Sequence, residues 1–293
     1  MLHLLTEIVA DGLVIGAIYA LGAAGFTIIF GVSGVLNLAH GSIMVIAALV
    51  AWFCAVHLHL GIYLGGLIGI IAAIVSTYLL YWLVIRPIDR SRRIAAAERE
   101  VFVLTATLLV GLILEGVLDF AFGSSPVTTP SLVTGVLRIA GTTVPYSQIL
   151  ILVIAWLVLG ALWYFVTRTR IGKAMLAASM STTGLRIVGY DINKVYNLVW
   201  GLYGLLAGIA GVLLASFTGA NAEIAVGLTV NAFIVVVLGG LGNVAGSLAA
   251  AYVIGFLGTL TAYLINPSIR MIPALVLLVL ILYFRPQGLF GRH

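Results

Sequence analysis

The sequence predicts an all-α polytopic membrane protein with about eight or nine transmembrane helices interrupted by Gly-rich breaks. Three observations predict it. The 293 residues are 63% hydrophobic and 8% charged, whereas soluble domains carry about a quarter charged residues. Apolar runs near the roughly 20 residues needed to cross a hydrocarbon core alternate with short polar gaps. Twelve of the fourteen Lys and Arg fall in three gaps: Arg86, Arg90, Arg92, Arg93 and Arg99; Arg168, Arg170, Lys173, Arg186 and Lys194; Arg285 and Arg292. The alternating ten-residue pattern of an outer-membrane barrel is absent from the sequence.

In chain order the expected spans are about 8–30, 40–57, 62–85, 101–122, 148–167, 195–217, 227–240, 246–265 and 271–284. Two spans separate the first basic gap from the second, and four separate the second from the tail. Both numbers are even, so all three gaps fit the cytoplasmic side, where cationic loops are retained. Three spans precede Arg86, which puts the N-terminus outside and the C-terminus in the cytoplasm. The N-terminal segment carries Glu7 and Asp11 without Lys or Arg; it lacks a basic n-region, so the first span reads as retained rather than cleaved. Segments 227–240 and 271–284 are short for full crossings and read as discontinuous helices completed by neighbours.

The longest outer segment, about 123–147, holds Pro126, Pro130, Gly135, Gly141 and Pro145 and reads as a loop. It is too short for a solute-binding domain but long enough to contribute a docking surface. The net charge of +5 resides in loops flanking spans, which fits lipid headgroups or a cytosolic partner rather than nucleic acid. The single cysteine, Cys54, excludes an intramolecular disulfide and a cysteine-based zinc site; inside an apolar run it reads as a small core residue.

Two Gly-rich breaks resemble each other. One runs Gly31-Val-Ser-Gly34-Val-Leu-Asn37-Leu-Ala-His40-Gly41-Ser42, the other Gly239-Gly240-Leu-Gly242-Asn243-Val-Ala-Gly246-Ser247. Each follows a β-branched apolar run, contains Gly-x-x-Gly then Asn, and precedes an Ala-rich segment. Peptide groups freed by a break need protein or water, since lipid cannot satisfy them, and paired interrupted segments point to a translocation route. On that reading Gly34, Asn37, His40, Gly41, Gly239, Gly240, Gly242 and Asn243 line the pathway. The competing reading is a tight turn with glycines packing helices. Asn37 reads as a cap for the following helix, and His40 as a residue hydrogen-bonded at a helix start. Glu115 and Asp119, four apart on one helix face, are candidates for proton coupling if buried, and otherwise for an outer vestibule or an interface with polar headgroups.

The second basic gap, about 168–194, is the most specific feature. A short surface helix from about Lys173 to Thr183, a turn at Gly184 to Gly189 and a second helix are expected, forming a surface that docks into a cleft of a cytosolic partner or lies on the lipid interface. No phosphate-binding Gly-x4-Gly-Lys-Ser/Thr loop, His-Glu-x-x-His or Gly-x-Ser-x-Gly occurs, so no catalytic residue, metal site or enzyme activity is assigned.

These residues resemble the permease subunits of the branched-chain amino acid class of ABC importers, the high-affinity Leu/Ile/Val type. Four regions carry the resemblance: Gly16-Ala-Ile-Tyr19-Ala-Leu21 leading into Gly31 to Ser42; the Arg168 to Val195 loop; Val237 to Gly246; and Arg285-Pro-Gln-Gly288-Leu-Phe-Gly291. The resemblance implies one transmembrane permease domain over 1–293 in a bacterial inner membrane. It implies a second, related permease, two cytosolic ATPase subunits that use ATP and Mg, and a periplasmic solute-binding protein. This chain then binds no cofactor. The loop supplies the coupling helix, through Gly172, Lys173, Ala174, Ala177, Ala178, Ser181, Gly184, Gly189 and Asp191. Family members usually carry charge where Ser181, Thr182 and Thr183 stand here, which leaves a charged ATPase contact in doubt. Branched-chain amino acids are the leading solutes; other amino acids, amides and urea stay open. The rival class is a self-sufficient channel or ion-coupled secondary transporter.

Overall fold

The computed structural model describes residues 2–91, 94–95, 98–139, 142–285 and 287–290. Arg92, Arg93, Gly141, Gly291 and Arg292, used above, lie outside the described residues. The helices are α1 (Leu2–Ser33), α2 (His40–Val56), α3 (Gly61–Leu80) continuing through a π-helical turn (Tyr81–Ile85) into α4 (Arg86–Arg90), α5 (Arg99–Phe122), α6 (Tyr146–Arg168), α7 (Arg170–Met180), α8 (Thr182–Ile187), α9 (Ile192–Phe217), α10 (Ile224–Gly239), α11 (Val244–Leu264) and α12 (Ile272–Phe284).

Among the described residues, seven helical segments are long and apolar enough to span a bilayer. Two apolar helices are shorter: α2 with 17 residues and α10 with 16. At 1.5 Å per residue they reach only about 26 and 24 Å, less than the roughly 30 Å of hydrocarbon. The expected pair of short segments is therefore half corrected. The last segment gains a 3₁₀ turn at Pro267–Ile269 and runs Pro267–Phe284, whereas α2 stops at Val56 and begins only at His40.

The interior is built around α1 and α9, buried over 78% and 72% of their most apolar stretch; α5 and α6 are buried over 22% and the last segment over 6%. The latter helices present their apolar faces outward, which is where the excess of hydrophobic residues goes. α1 packs along α11, and α2 against α3, α9 and α10. Small residues permit these close crossings. Gly65 and Gly69 of α3 sit against Ala51 and Ala47 of α2, and a Cβ at Gly211 of α9 would strike the Met44 carbonyl of α2. Cys54 is buried, as expected for a core residue.

The two ends of the bundle are distinguishable. At one end Asp11 accepts from Tyr263 at 2.7 Å and from Gln148 at 3.1 Å, and His3 Nδ1 lies 3.0 Å from Thr142 Oγ1. At the other, Arg90 Nη2 donates to Asn193 at 2.7 Å, Gly31 meets Gly242, and Gly288 packs on Val237 and Gly240. The described parts of the three basic segments thus gather at one end, as the span parity requires, with the N-terminal turns of α1 at the other.

The segment expected as a plain loop between α5 and α6 carries a two-stranded antiparallel hairpin, β1 (Val136–Ile139) with β2 (Thr142–Pro145), and a bridge from Val127 to Ala220. Its strands are rich in β-branched residues, which favour pleated structure, but four residues each are too few to show a period. The surface helix also differs from expectation. α7 ends at Met180 because Ser181 turns extended (φ −161°, ψ 109°), and its Oγ accepts from Gly184 N–H at 3.0 Å to start α8. Gly184 therefore lies inside a helix, and the turn sits at Gly189 (φ +86°).

Candidate translocation site and coupling surface

α1 ends with Gly34 (φ +69°), whose N–H donates to Phe30 O at 2.8 Å. The chain then runs non-helically through 35–39 to the start of α2. His40 stands beside Gly22, which lies midway between Asp11 and Gly31 on α1. The nine residues from Gly31 back to Gly22 place His40 about 14 Å inside the basic end of the bundle. The inner part of the unwound backbone is held by protein groups, as a break within a bilayer requires. Leu38 N–H donates to Thr107 Oγ1 of α5 at 3.2 Å, Ala39 N–H to Asn37 Oδ1 at 3.0 Å, and Ser42 Oγ to the Gly111 carbonyl at 3.1 Å. Asn37 braces this turn, but the N-cap residue is Ala39, without a side-chain cap. That corrects the expectation of Asn37 as the cap: its amide is drawn across to α9.

Asn37 Nδ2 donates to the Tyr203 hydroxyl at 2.8 Å, and His40 Nδ1 lies 3.0 Å from the same oxygen. All three residues are fully buried. Where the Tyr203 hydroxyl donates to His40 Nδ1, the single N–H of the neutral imidazole stands on Nε2. That atom has no partner among the described residues. It faces a small pocket lined by Tyr19, Gly22, Met44, Leu228 and Ala232. Opposite, Gly41 N–H donates to Thr229 Oγ1 of α10 at 2.8 Å. The first turns of the two short helices therefore meet inside the bundle.

The second break is a different object. Gly240 (φ +94°) and Gly242 (φ +82°) make a tight turn, and Asn243 caps α11 by accepting from Gly246 N–H at 3.1 Å. Asn243 Nδ2 holds the Phe290 carbonyl at 2.9 Å, and a Cβ at Gly239 would collide with Ser247 N. The residues expected along one pathway fall into two groups. Asn37, His40 and Gly41 meet at the mid-bundle node; Gly34, Gly239, Gly240, Gly242 and Asn243 lie at the basic end, where the last four build the turn that holds the chain's tail. Tyr203 and Thr229 complete the node and were missed by sequence reading, since neither lies near a glycine break.

Beyond the node a cavity opens toward the end that carries Asp11. Its two connected lobes, about 360 and 440 Å³, share Ile15, Tyr19, Thr218, Asn231, Arg270 and Met271. Asn231 Nδ2 donates to the Tyr19 hydroxyl at 3.2 Å at its floor. Glu115 is half-buried and Asp119 exposed on the outer face of α5, so they do not form the buried pair that proton coupling needs.

At the basic end, Thr169 caps α7 and Asp191 caps α9, accepting from Gly172 N–H and Asn193 N–H, each at 2.9 Å. The Asn193 backbone bond holds the exposed Asp191 carboxyl below its ordinary range. Of the residues expected to dock a partner, Lys173, Ala177, Ser181, Gly189 and Asp191 are exposed and Gly184 is half-buried. Gly172, Ala174 and Ala178 face inward, and a Cβ at Gly172 would strike the Phe165 carbonyl. The outward apolar residues are Ile171, Leu176, Met180, Ile187 and Val188, the last three 79%, 82% and 74% exposed. Sequence reading passed over them because apolar residues are unremarkable in so apolar a chain.

A family model of the permease component of branched-chain amino acid transport systems matches residues 8–282. The chain belongs to that family. It is 29% identical to the high-affinity branched-chain amino acid transport system permease protein BraD of Pseudomonas aeruginosa, over 99% of this chain and 96% of that protein. It is 27% identical to LivH of Escherichia coli, of the same description, over 96% and 94%. The ribose import permease protein RbsC of E. coli is 28% identical over 82% of this chain and 73% of its own length. Among solved structures, PsaBC from Streptococcus pneumoniae in complex with Fab shares the fold, with a TM-score of 0.53 at 15% identity over 96% of this chain and 92% of that one. In this permease component of a transport system, then, the apolar helices form a multi-pass body.

Proposed function

We propose that this permease component pairs with a second, related permease in a bacterial inner membrane, with its basic end in the cytoplasm and its N-terminus outside. Two ATPase subunits that use ATP and Mg dock on the basic end, and a periplasmic binding protein delivers solute at the other. Branched-chain amino acids are the solutes, as the descriptions of BraD and LivH indicate.

The observation that carries this reading is the row Leu176, Met180, Ile187 and Val188 on α7 and α8. These helices are too short to span, sit at the basic end, and point apolar side chains away from the chain's own core. Exposed apolar groups rimmed by Arg170, Lys173 and Arg186 fit a protein cleft. Closure of the ATPase pair moves α7, which is hydrogen-bonded through Thr169 to the end of α6 at 2.7 Å. That motion opens or shuts the node at Asn37, His40 and Tyr203.

The test is purification of the chain from its native membrane in mild detergent, with mass spectrometry of associated proteins. Recovery of ATPase subunits and a second permease is expected. Recovery of the chain alone, active for uptake in liposomes without ATP, would sink the proposal in favour of a channel or ion-coupled carrier.

A further inference from the structure

Arg270 breaks the charge pattern of the chain. With Arg138 it is one of two cations outside the three basic gaps. It lies in the turn between Pro267–Ile269 and α12, at the end of the bundle opposite the other clusters. A cation there opposes the bias that keeps Lys and Arg on the cytoplasmic side, so a local role is called for. Arg270 lines both lobes of the cavity. Glu223, just before α10, lines the larger lobe with it. Both side chains are exposed to the open cavity. Among the described residues, no side-chain hydrogen bond or salt bridge is seen for either, and Arg270 acts electrostatically on Tyr19 of the same wall. The third charged group on the wall, Asp11, is already engaged by Tyr263 and Gln148.

The wall also holds spare polar capacity. Among the described residues, Asn221 Oδ1 and Thr259 Oγ1 are buried without partners, on residues 6% and 3% exposed that line the two lobes. The walls between these polar groups are apolar: Ile15, Ile224, Leu228 and Met271. Gly227 keeps the α10 wall open, since a Cβ there would meet only Met271 Sδ, at 3.7 Å. At about 440 Å³ the larger lobe falls within the roughly 300–1,000 Å³ of small-molecule sites.

The geometry points to a transit subsite for a zwitterionic α-amino acid, with Arg270 receiving the carboxylate, Glu223 the ammonium group, and the apolar wall the side chain. A planar guanidinium takes a carboxylate through two parallel N–H···O bonds. A carboxylate and a guanidinium on one wall suit a solute that carries both opposite charges. The Tyr19–Asn231 hydrogen bond closes the floor of the subsite above the His40 pocket, so solute released from the charged pair next meets that bond. The inference rests on the amino-acid reading proposed above.

The test uses the complete transporter in liposomes, with its ATPases, second permease and binding protein. Uptake of radiolabelled L-leucine and of D-ribose is measured beside ATP hydrolysis stimulated by the loaded binding protein. Loss of one charge-assisted contact predicts that R270Q and E223Q each lower L-leucine uptake at least about tenfold, with stimulated ATP hydrolysis retained. R270K, which keeps the charge without the fork, recovers part of the uptake and serves as the assembly control; E223D does the same for Glu223. Wild-type uptake of leucine that persists at equal rate in R270Q and E223Q overturns the subsite and leaves the substrate reading intact. Uptake of ribose but not leucine by the wild type overturns both. Loss of stimulated ATP hydrolysis together with uptake assigns the two residues to docking of the binding protein and also overturns the subsite.

Discussion

The backbone N–H of Gly41 donates to Thr229 Oγ1 at 2.8 Å, and Thr229 Oγ1 in turn donates to the Ala225 carbonyl at 3.1 Å. This chain of two bonds joins the first turns of α2 and α10, the two apolar helices too short to cross a bilayer. A helix start leaves unpaired N–H groups, and Thr229 of α10 satisfies one of those at the start of α2.

Gly41→Ala is expected to separate them. Its Cβ would land on the Ala225 carbonyl, with Thr229 Oγ1 at 2.8 Å. Overpacking of this kind costs about 1–3 kcal/mol or more. Thr229→Val adds no bulk but strands the Gly41 N–H, at about 1–3 kcal/mol. Both should lower the thermal unfolding midpoint in detergent, Gly41→Ala the more; unchanged midpoints contradict the joint.

Tyr203→Phe removes the oxygen shared by Asn37 and His40. Two buried polar groups lose their partner for about 1–3 kcal/mol each. If the node gates passage, ATP-driven uptake falls or becomes uncoupled while the protein still inserts. Normal, tightly coupled uptake in this variant confines the node to a structural part.

Met180→Asp and Val188→Asp alter side chains that point away from the fold. They should leave the unfolding midpoint unchanged and abolish co-purification of the ATPase subunits. Ala178→Arg, by contrast, drives a long cation into a site 3% exposed and should lower stability first. Retention of ATPases by both Asp variants removes α7–α8 as the dock.

Asp191 supplies a pH test. Its carboxyl is lowered from 3.8, chiefly by the Asn193 backbone N–H. A lowered carboxylate contributes stability that is full above the unfolded value and lost as pH falls through the folded one. The α9 start should therefore keep its amide protection at neutral and mildly acidic pH and lose it only below about 3.8. Asp191→Asn, a comparable cap, should keep the protection and lose its pH dependence. Hydrogen exchange at the Asn193 amide reads both.

Legibility followed the range of the interaction. Helix capping by Asn243 and Asp191 uses partners two or three residues away, and the helix starts near them were close to those expected. The hairpin at Val136–Pro145 was not legible, because strands so short draw their stability from packing rather than pattern. Nor was the difference between the two glycine breaks. Both read Gly-x-x-Gly-x-x-Asn or a near variant, yet one frames unwound backbone deep in the bundle, and the other packs Gly239 on Gly246 and Gly288 on Gly240 at its basic end.

The sequence by itself determined the membrane class, the segments that cross or nearly cross, and the gathering of basic loops at one end. These follow from transfer of apolar and charged groups between lipid and water, a property summed along local stretches of chain. Only the tertiary structure decided which inward groups meet. Asn37 and Tyr203 are 166 residues apart, Gly41 and Thr229 are 188 apart, and Glu223 and Arg270 share a wall built from separate turns. A buried polar group takes whichever partner the packed helices bring within about 3 Å, and that choice is made by the crossings of α1, α2, α9 and α10.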